Sequence, residues 1–296
     1  MDKNLPWVYV IILNYNSSHD SVSLFKNLKR DLYQNFQILI IDNCSKSEDV
    51  SNLQQNIPHE NLIFSSRNLG YAGGNNIGIK KALEEKADYV WILNPDIRTK
   101  RNTLSLLLNL MERDHSLAAV GPRIISREHS DKIFSDGEVI DKLDGIKTFH
   151  KNHNKFAFNK NEKVDYEIDY IDGSSILLRT AAIYEIGFLP EEYFMYWEET
   201  DWCTNAKLYE WKLAVNRSAI VYNLNSPKNG SFHYFYIRNK LLYSKKYKVN
   251  YIITRNKEIR VIKNEILKRF KGIYFKPFFF YRLKGLLSGL LINSFK

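Results

Sequence analysis

The order of apolar segments predicts an α/β fold, a doubly wound and mostly parallel sheet with helices on both faces. Near-continuous apolar runs suit strands buried on both sides, and helical stripes alternate with them. The first run is WVYVIILNYN (7–16), followed by a stripe of Val22, Phe25, Leu28 and Leu32. FQILIIDN (36–43) is the second strand and NLIFSS (61–66) a short third. NNIGIKKALEEKA (75–87) reads as a helix and YVWILNPD (89–96) as the fourth strand. Another helix carries Leu104, Leu107, Leu108 and Met111. AAVGPRII (118–125), YIDGSSILL (170–178) and KLAVNRSAIVYN (212–223) read as later strands. Residues 126–168 are polar and weakly periodic, which predicts an insertion or hairpin over the sheet.

At 296 residues, with 44% apolar and 26% charged side chains, the chain has ordinary globular composition and room for one or two domains. Collagen-like, disordered and disulfide-scaffold classes are excluded. Two cysteines, Cys44 and Cys203, fit a reducing interior. MDKNLPW lacks the apolar core of a secretory signal, and no uncharged run approaches the ~20 residues of a membrane span. The net charge of +10 is unevenly placed. Residues 238–296 hold 16 Lys/Arg against Glu258 and Glu265, a net of +14, and the preceding part carries −4. A basic nucleic-acid platform is thereby excluded for that larger part.

Three strands end in similar chemistry: Asn14-Tyr15-Asn16, Asp42-Asn43 and Asn94-Pro95-Asp96. Ligands of open α/β sheets bind outside the carboxyl ends of strands. Asn and Asp are also ordinary turn formers, but three successive strand ends weigh toward ligand contact. Between the third strand and the next helix lies RNLGYAGGNN (67–76). Its glycines would let backbone approach a ligand, and a helix start offers N–H groups to phosphate. A tight turn at Gly73-Gly74 is the alternative. The dinucleotide fingerprint GxGxxG is absent, so a Rossmann dehydrogenase fits poorly.

The ordered series NYN, IDNCS, RNLGYAGGNN, NPD, IDGSSILLR, YWEETDWC and YIRN resembles family 2 glycosyltransferases of GT-A fold. Its nearest branch is the rhamnosyltransferase-like enzymes of bacterial surface polysaccharide synthesis. The resemblance spans about residues 7–243 and implies a GT-A domain over 1–245. It places Asn94-Pro95-Asp96 at the family's DxD motif, with Asn94 in place of the first Asp. Asp96 is then the ligand of Mg²⁺ or Mn²⁺ bridging the donor diphosphate. Asp42 matches the base-reading acid, and Asn14, Asn16 and Asn68 match other nucleotide contacts, with Gly73, Gly74 and Asn75 beside the donor.

Glu198-Glu199-Thr200-Asp201 stands where the family has Glu-Asp-x-Asp. Inverting transfer needs a carboxylate to take the acceptor hydroxyl proton, and Glu199 matches that base by position. Asp201 is the second catalytic candidate, or a dipole partner where the helix with Trp202, Ala206 and Tyr209 begins. The family often has a histidine after the late strand; Asn223 stands there, with His233 ten residues on. His150 and His153 read as loop surface, since no Cys or acid recurs at zinc-site spacing.

In residues 254–271, Ile259, Ile262, Ile266 and Phe270 share a helical face ringed by Lys and Arg. The following GIYFKPFFFYRLKGLLSGLLINSF mixes aromatic and aliphatic bulk with Lys276, Arg282 and Lys284. Residues 246–296 therefore read as a basic amphipathic extension on anionic lipid; packing on the sheet domain and a nucleic-acid arm are the rival readings. With the resemblance, this implies an inverting, metal-dependent hexosyltransferase at the inner face of the cell membrane. It would move a sugar, L-rhamnose from dTDP-rhamnose or another from a UDP donor, to a saccharide or lipid-linked saccharide acceptor. The alternatives are a nucleotidyl or phosphosugar transferase, or a silent nucleotide-sugar-binding module.

Overall fold

A computed structural model describes residues 5–157, 164–224, 228–270 and 274–292. Two compact units divide the chain. The first comprises Met1–Val139, His150–Glu191 and Glu199–Asn225, the second Ile140–Phe149, Glu192–Glu198 and Ser226–Lys296.

In the first unit, β1 (Val8–Asn14) leads through α1 (Ser18–Leu28) to β2 (Phe36–Asp42). Then come α2 (Ser47–Asn56), β3 (Leu62–Phe64), α3 (Gly70–Glu84), β4 (Tyr89–Leu93) and the short β5 (Arg98–Thr99). Helix α4 (Thr103–Arg113) precedes β6 (Leu117–Ser126). The polar insertion supplies β7 (Ile133–Ser135), β8 (Glu138–Asp141), β9 (Lys147–His150) and β10 (Val164–Asp165), of which the stretch Ile140–Phe149 belongs to the second unit; residues 158–163 of it lie outside the described residues. Next are β11 (Ser175–Arg179), α5 (Thr180–Ile186), α6 (Glu198–Leu208) and β12 (Lys212–Asn223).

The described strands pair in the order β10-β12-β6-β11-β4-β1-β2-β3, with β5 on β12 and β7 on β6, while β8 and β9 form a separate ribbon. β1 runs parallel to β2 and β4, as the long apolar runs imply. β11 is antiparallel to β4 and β6, so it enters as a reversed strand between them. Val8, Val10, Ile12, Ile38, Ile40, Trp91 and Leu93 form one core with Leu24, Phe25 and Leu28 of α1 and Leu104, Leu107 and Met111 of α4. Leu32 leaves that stripe: it lies beyond α1 and is exposed.

In the second unit, α7 (Gly230–Lys246), α8 (Tyr251–Phe270) and α9 (Phe279–Leu291) share a core of Ile237, Leu241, Ile262, Phe279 and Leu286. Gly285 lets α9 approach α7, since a Cβ there would lie 2.5 Å from the Tyr234 carbonyl oxygen. Only Ile262 of the anticipated apolar face of α8 is buried; Ile259, Ile266 and Phe270 are exposed. His233 stacks on Phe278 at 5.0 Å, a packing role. Residues 271–273 and 293–296 of the basic extension lie outside the described residues.

Candidate active site

At the carboxyl ends of β1 and β2, polar side chains satisfy one another. Asn14 is fully buried; its Nδ2 donates to Asp42 Oδ1 at 2.8 Å and Ser45 Oγ at 3.1 Å, while its Oδ1 accepts from Ser21 at 2.7 Å. The other Asp42 oxygen accepts the Ser45 N–H at 3.0 Å, and Asp42 is 1% exposed. Asp42 and Asn14 thus tie two strand ends together. Asn16 is exposed at φ 52° and accepts the Lys46 N–H at 2.9 Å, so it lies on the outer rim with Tyr15. Asn68 Oδ1 accepts from Asn43 Nδ2 at 3.0 Å and from the Gly70 N–H at 2.8 Å.

The segment anticipated as a loop before residue 75 is helical from Gly70. Gly73, Gly74 and Asn75 are therefore buried inside α3 rather than open to a ligand. The physical reason is close packing on β1. A Cβ on Gly74 would overlap Leu13 Cδ1, and one on Gly78 would lie 2.7 Å from Ile11 Cδ1. Asn75 Nδ2 donates to the Tyr71 carbonyl at 3.0 Å within the helix. The Leu69 and Gly70 N–H groups donate to the Asn43 and Asn68 side chains, so these two are not open to phosphate.

Asn94, Pro95 and Asp96 are half-buried beyond β4. The Asn94 N–H donates to the Ser174 carbonyl at 2.9 Å, and its own carbonyl accepts the Ile97 N–H at 3.1 Å. Two arginines brace this loop. Arg127 donates to the Asp96 carbonyl at 3.0 Å; Arg98 donates to the Pro95 carbonyl at 2.9 Å and to Asp20 of α1 at 2.9 Å. Burial pushes the Asp96 carboxyl up to about 6, with Asp20 and Asp172 adding to the rise and Arg127 opposing it. A half-buried carboxylate beside two other acids has the chemistry of a hard-cation ligand.

Asp172 and Gly173 form the turn before β11. Asp172 accepts the Ser174 N–H at 2.8 Å, and the Gly173 carbonyl accepts the Tyr71 hydroxyl. A Cβ on Gly173 would lie 3.6 Å from Glu199 Cγ, so Glu199 rests against this turn, half-buried. Asp201 is fully buried in the first turns of α6 and accepts from Asn205 at 3.3 Å. Glu199 is the more exposed of the two acids. The helix begins at Glu198, not at Asp201.

Before Glu198, Phe194, Tyr196 and Trp197 all adopt positive φ of 64–80°. Asn239 of α7 holds this backbone, donating from Nδ2 to the carbonyls of Tyr193, Met195 and Tyr196, each at 2.8 Å. Arg238 adds a bond to the Glu192 carbonyl at 3.0 Å. The Arg-Asn pair of YIRN is thus a loop clamp. Cys203 is buried and its thiol is pushed up to about 12 by burial, so it is inert; Cys44 is exposed at φ 65°.

Sequence reasoning did not assign Asp20, Arg98, Arg127 or Asp172 to this region. Arg127 opens the polar insertion and Asp172 precedes a glycine, both ordinary loop signals. It also left His150 on the loop surface, whereas His150 Nδ1 lies 2.7 Å from Glu138 Oε1. The acids near it come from positions 12 and 22 residues away, which no short spacing reveals.

Sheet order and site together define a GT-A fold. The chain resembles GalNAc-T7, solved with UDP, GalNAc and Mn²⁺, at a TM-score of 0.68 and 15% identity, over 96% of this chain and 57% of that one. The chain belongs to glycosyl transferase family 2, whose model matches residues 9–187. It is 29% identical over 210 residues to the low-salt glycan biosynthesis hexosyltransferase Agl10 of Haloferax volcanii, covering 67% of this chain and 61% of that protein. It is 25% identical over 205 residues to the dTDP-rhamnosyl transferase RfbF of Shigella flexneri, covering 68% and 64%. The chain thus spans a little under two thirds of these two relatives.

Proposed function

We propose that this chain is an inverting hexosyltransferase of polysaccharide synthesis, with dTDP-L-rhamnose the first donor to test and UDP-sugars the second. The observation that carries this reading is the turn at Asp172-Gly173, with the Asp96 loop bonded to one side and Glu199 resting on the other. Asp96, backed by the polar Asn94, would hold Mg²⁺ or Mn²⁺. That cation would offset charge on the leaving nucleoside diphosphate. Arg98 and Arg127 keep the loop in place. Glu199 accepts the acceptor hydroxyl proton while the new sugar–oxygen bond forms and the bond to diphosphate breaks on the opposite face. The exposed rim of Tyr15 and Asn16 suits the nucleoside end. The likeness to RfbF supports rhamnose.

Residues 246–296 form, in this reading, a membrane-associating extension that brings the enzyme to a lipid-linked acceptor at the inner face of the membrane. No helix of the described residues is long and apolar enough to cross a membrane. The extension leaves Phe270, Tyr274, Phe280 and Leu291 at least 69% exposed among its basic residues, as interfacial binding requires. The test of activity is incubation of the full chain with dTDP-rhamnose or UDP-sugars, Mn²⁺ and a saccharide acceptor. Release of nucleoside diphosphate with an inverted glycosidic bond supports the reading. Release of pyrophosphate, or no turnover with any donor, contradicts it.

A further inference from the structure

Outside the Asp96 loop, Glu138, His150 and Asp172 each bring one potential ligand atom within 4.8 Å of the other two. Sequence places them far apart: Glu138 on β8, His150 at the end of β9, Asp172 in the turn before β11. Glu138 is 1% exposed. Its Oε1 is fully occupied, accepting from Ser135 Oγ at 2.6 Å and meeting His150 Nδ1 at 2.7 Å. Its Oε2 is buried with no hydrogen-bond partner among the described residues. A buried carboxylate oxygen left without a donor is costly unless a ligand or ion completes it.

Nearby acids do have such partners. Asp136 is paired with Arg123 at 2.7 Å, and Asp165 with Lys151 at 2.6 Å and with Arg217. Among the described residues, Glu138 has the imidazole as its only ion-pair partner and Asp172 has no ion pair. The His150 side chain is 39% exposed, so an ion has a way in.

We propose that Glu138, His150 and Asp172 form a second divalent-cation site, separate from Asp96 and independent of nucleotide. One nitrogen with two carboxylates favours Mn²⁺, Zn²⁺ or a similar transition ion over Mg²⁺ or Ca²⁺, which take all-oxygen sets. Bound there, the ion would tie Glu138 and His150 to the turn that abuts Glu199.

The test uses the full chain, stripped with chelator and free of nucleotide, titrated with Mn²⁺ and followed by the loss of the free-ion paramagnetic resonance signal. One bound Mn²⁺ per chain is expected, kept in Asp96→Asn and not displaced by equal Mg²⁺. Affinity should fall about 10- to 100-fold in His150→Gln and in Asp172→Asn. Both replaced side chains are partly exposed, and a thermal melt confirms that each variant folds; Glu138 is too deeply buried to serve. No binding without nucleotide overturns the proposal. So does binding lost in Asp96→Asn but kept in His150→Gln, which would assign the ion to the donor loop alone.

Discussion

The backbone N–H of Asn94 donates to the carbonyl of Ser174 at 2.9 Å, tying the Asp96 loop to the turn of Asp172 and Gly173. Because β11 runs antiparallel beside β4, Ser175 faces Leu93 and this bond continues the ladder past both strand ends. The Asp96 loop and Glu199 therefore both adjoin the same turn before β11.

Glu199→Gln removes a base but keeps size and hydrogen bonding. Turnover should fall by about 10²–10⁴-fold while donor affinity stays near wild type. Steady-state kinetics with parallel donor binding decides it. Should the Gln variant turn over normally and Asp201→Asn be inactive, the roles are exchanged.

Gly74→Ala tests whether the glycines of α3 serve packing or donor contact. The added methyl meets Leu13 side-chain carbons, so a loss of about 1–3 kcal/mol in stability is expected by denaturant unfolding. Donor affinity of the folded fraction should be unchanged. Unchanged stability with lost donor binding would restore the ligand-cradle role.

Asp31, 3% exposed, has one carboxylate oxygen accepting the Tyr33 N–H at 2.9 Å and the other without a partner among the described residues. Burial pushes its carboxyl up to about 6. A folded value above the unfolded one means its stabilisation is complete below the unfolded value of about 4. It is then lost as pH rises through about 6, on the order of 1–3 kcal/mol in all. Melts between pH 4 and 7 should show Asp31→Asn with a flatter pH slope than wild type; identical slopes count against this assignment.

The basic extension is best tested on its surface, because deleting α9 would strip Phe279 and Leu286 from the core of the second unit. The full chain should sediment with anionic vesicles at low salt and be released as salt rises, since each Lys or Arg near the surface contributes about 1 kcal/mol. Phe280→Ser combined with Leu291→Ser should weaken sedimentation without lowering the melting temperature. A wild-type chain that ignores anionic vesicles excludes membrane attachment through this segment.

Sequence pattern was most informative where burial is two-sided. The apolar runs at 7–16, 36–43 and 89–96 hold β1, β2 and β4, and 212–223 coincides with β12. It failed where tertiary packing overrides propensity. Gly70, Gly73 and Gly74 read as loop, yet all three lie in α3, where Gly74 packs against Leu13 of β1. The short strands β7 to β10 have too few residues for a period to register. At the site, Asp96 and Glu199 stood out through their motifs. Nothing in IDN announces the bond that Asp42 accepts from Asn14. Asp172, Glu138 and His150 were invisible as a group, since only the fold brings their strands together.

In the proposed mechanism Asp96 holds the cation that binds the donor diphosphate, and calorimetry of dTDP and UDP binding with and without Mn²⁺ tests that role. Wild type should bind at least one of the two nucleotides more tightly with Mn²⁺ than without it. Asp96→Ala should keep its fold and lose that difference. An Asp96→Ala chain that keeps the full Mn²⁺-dependent affinity would contradict the account.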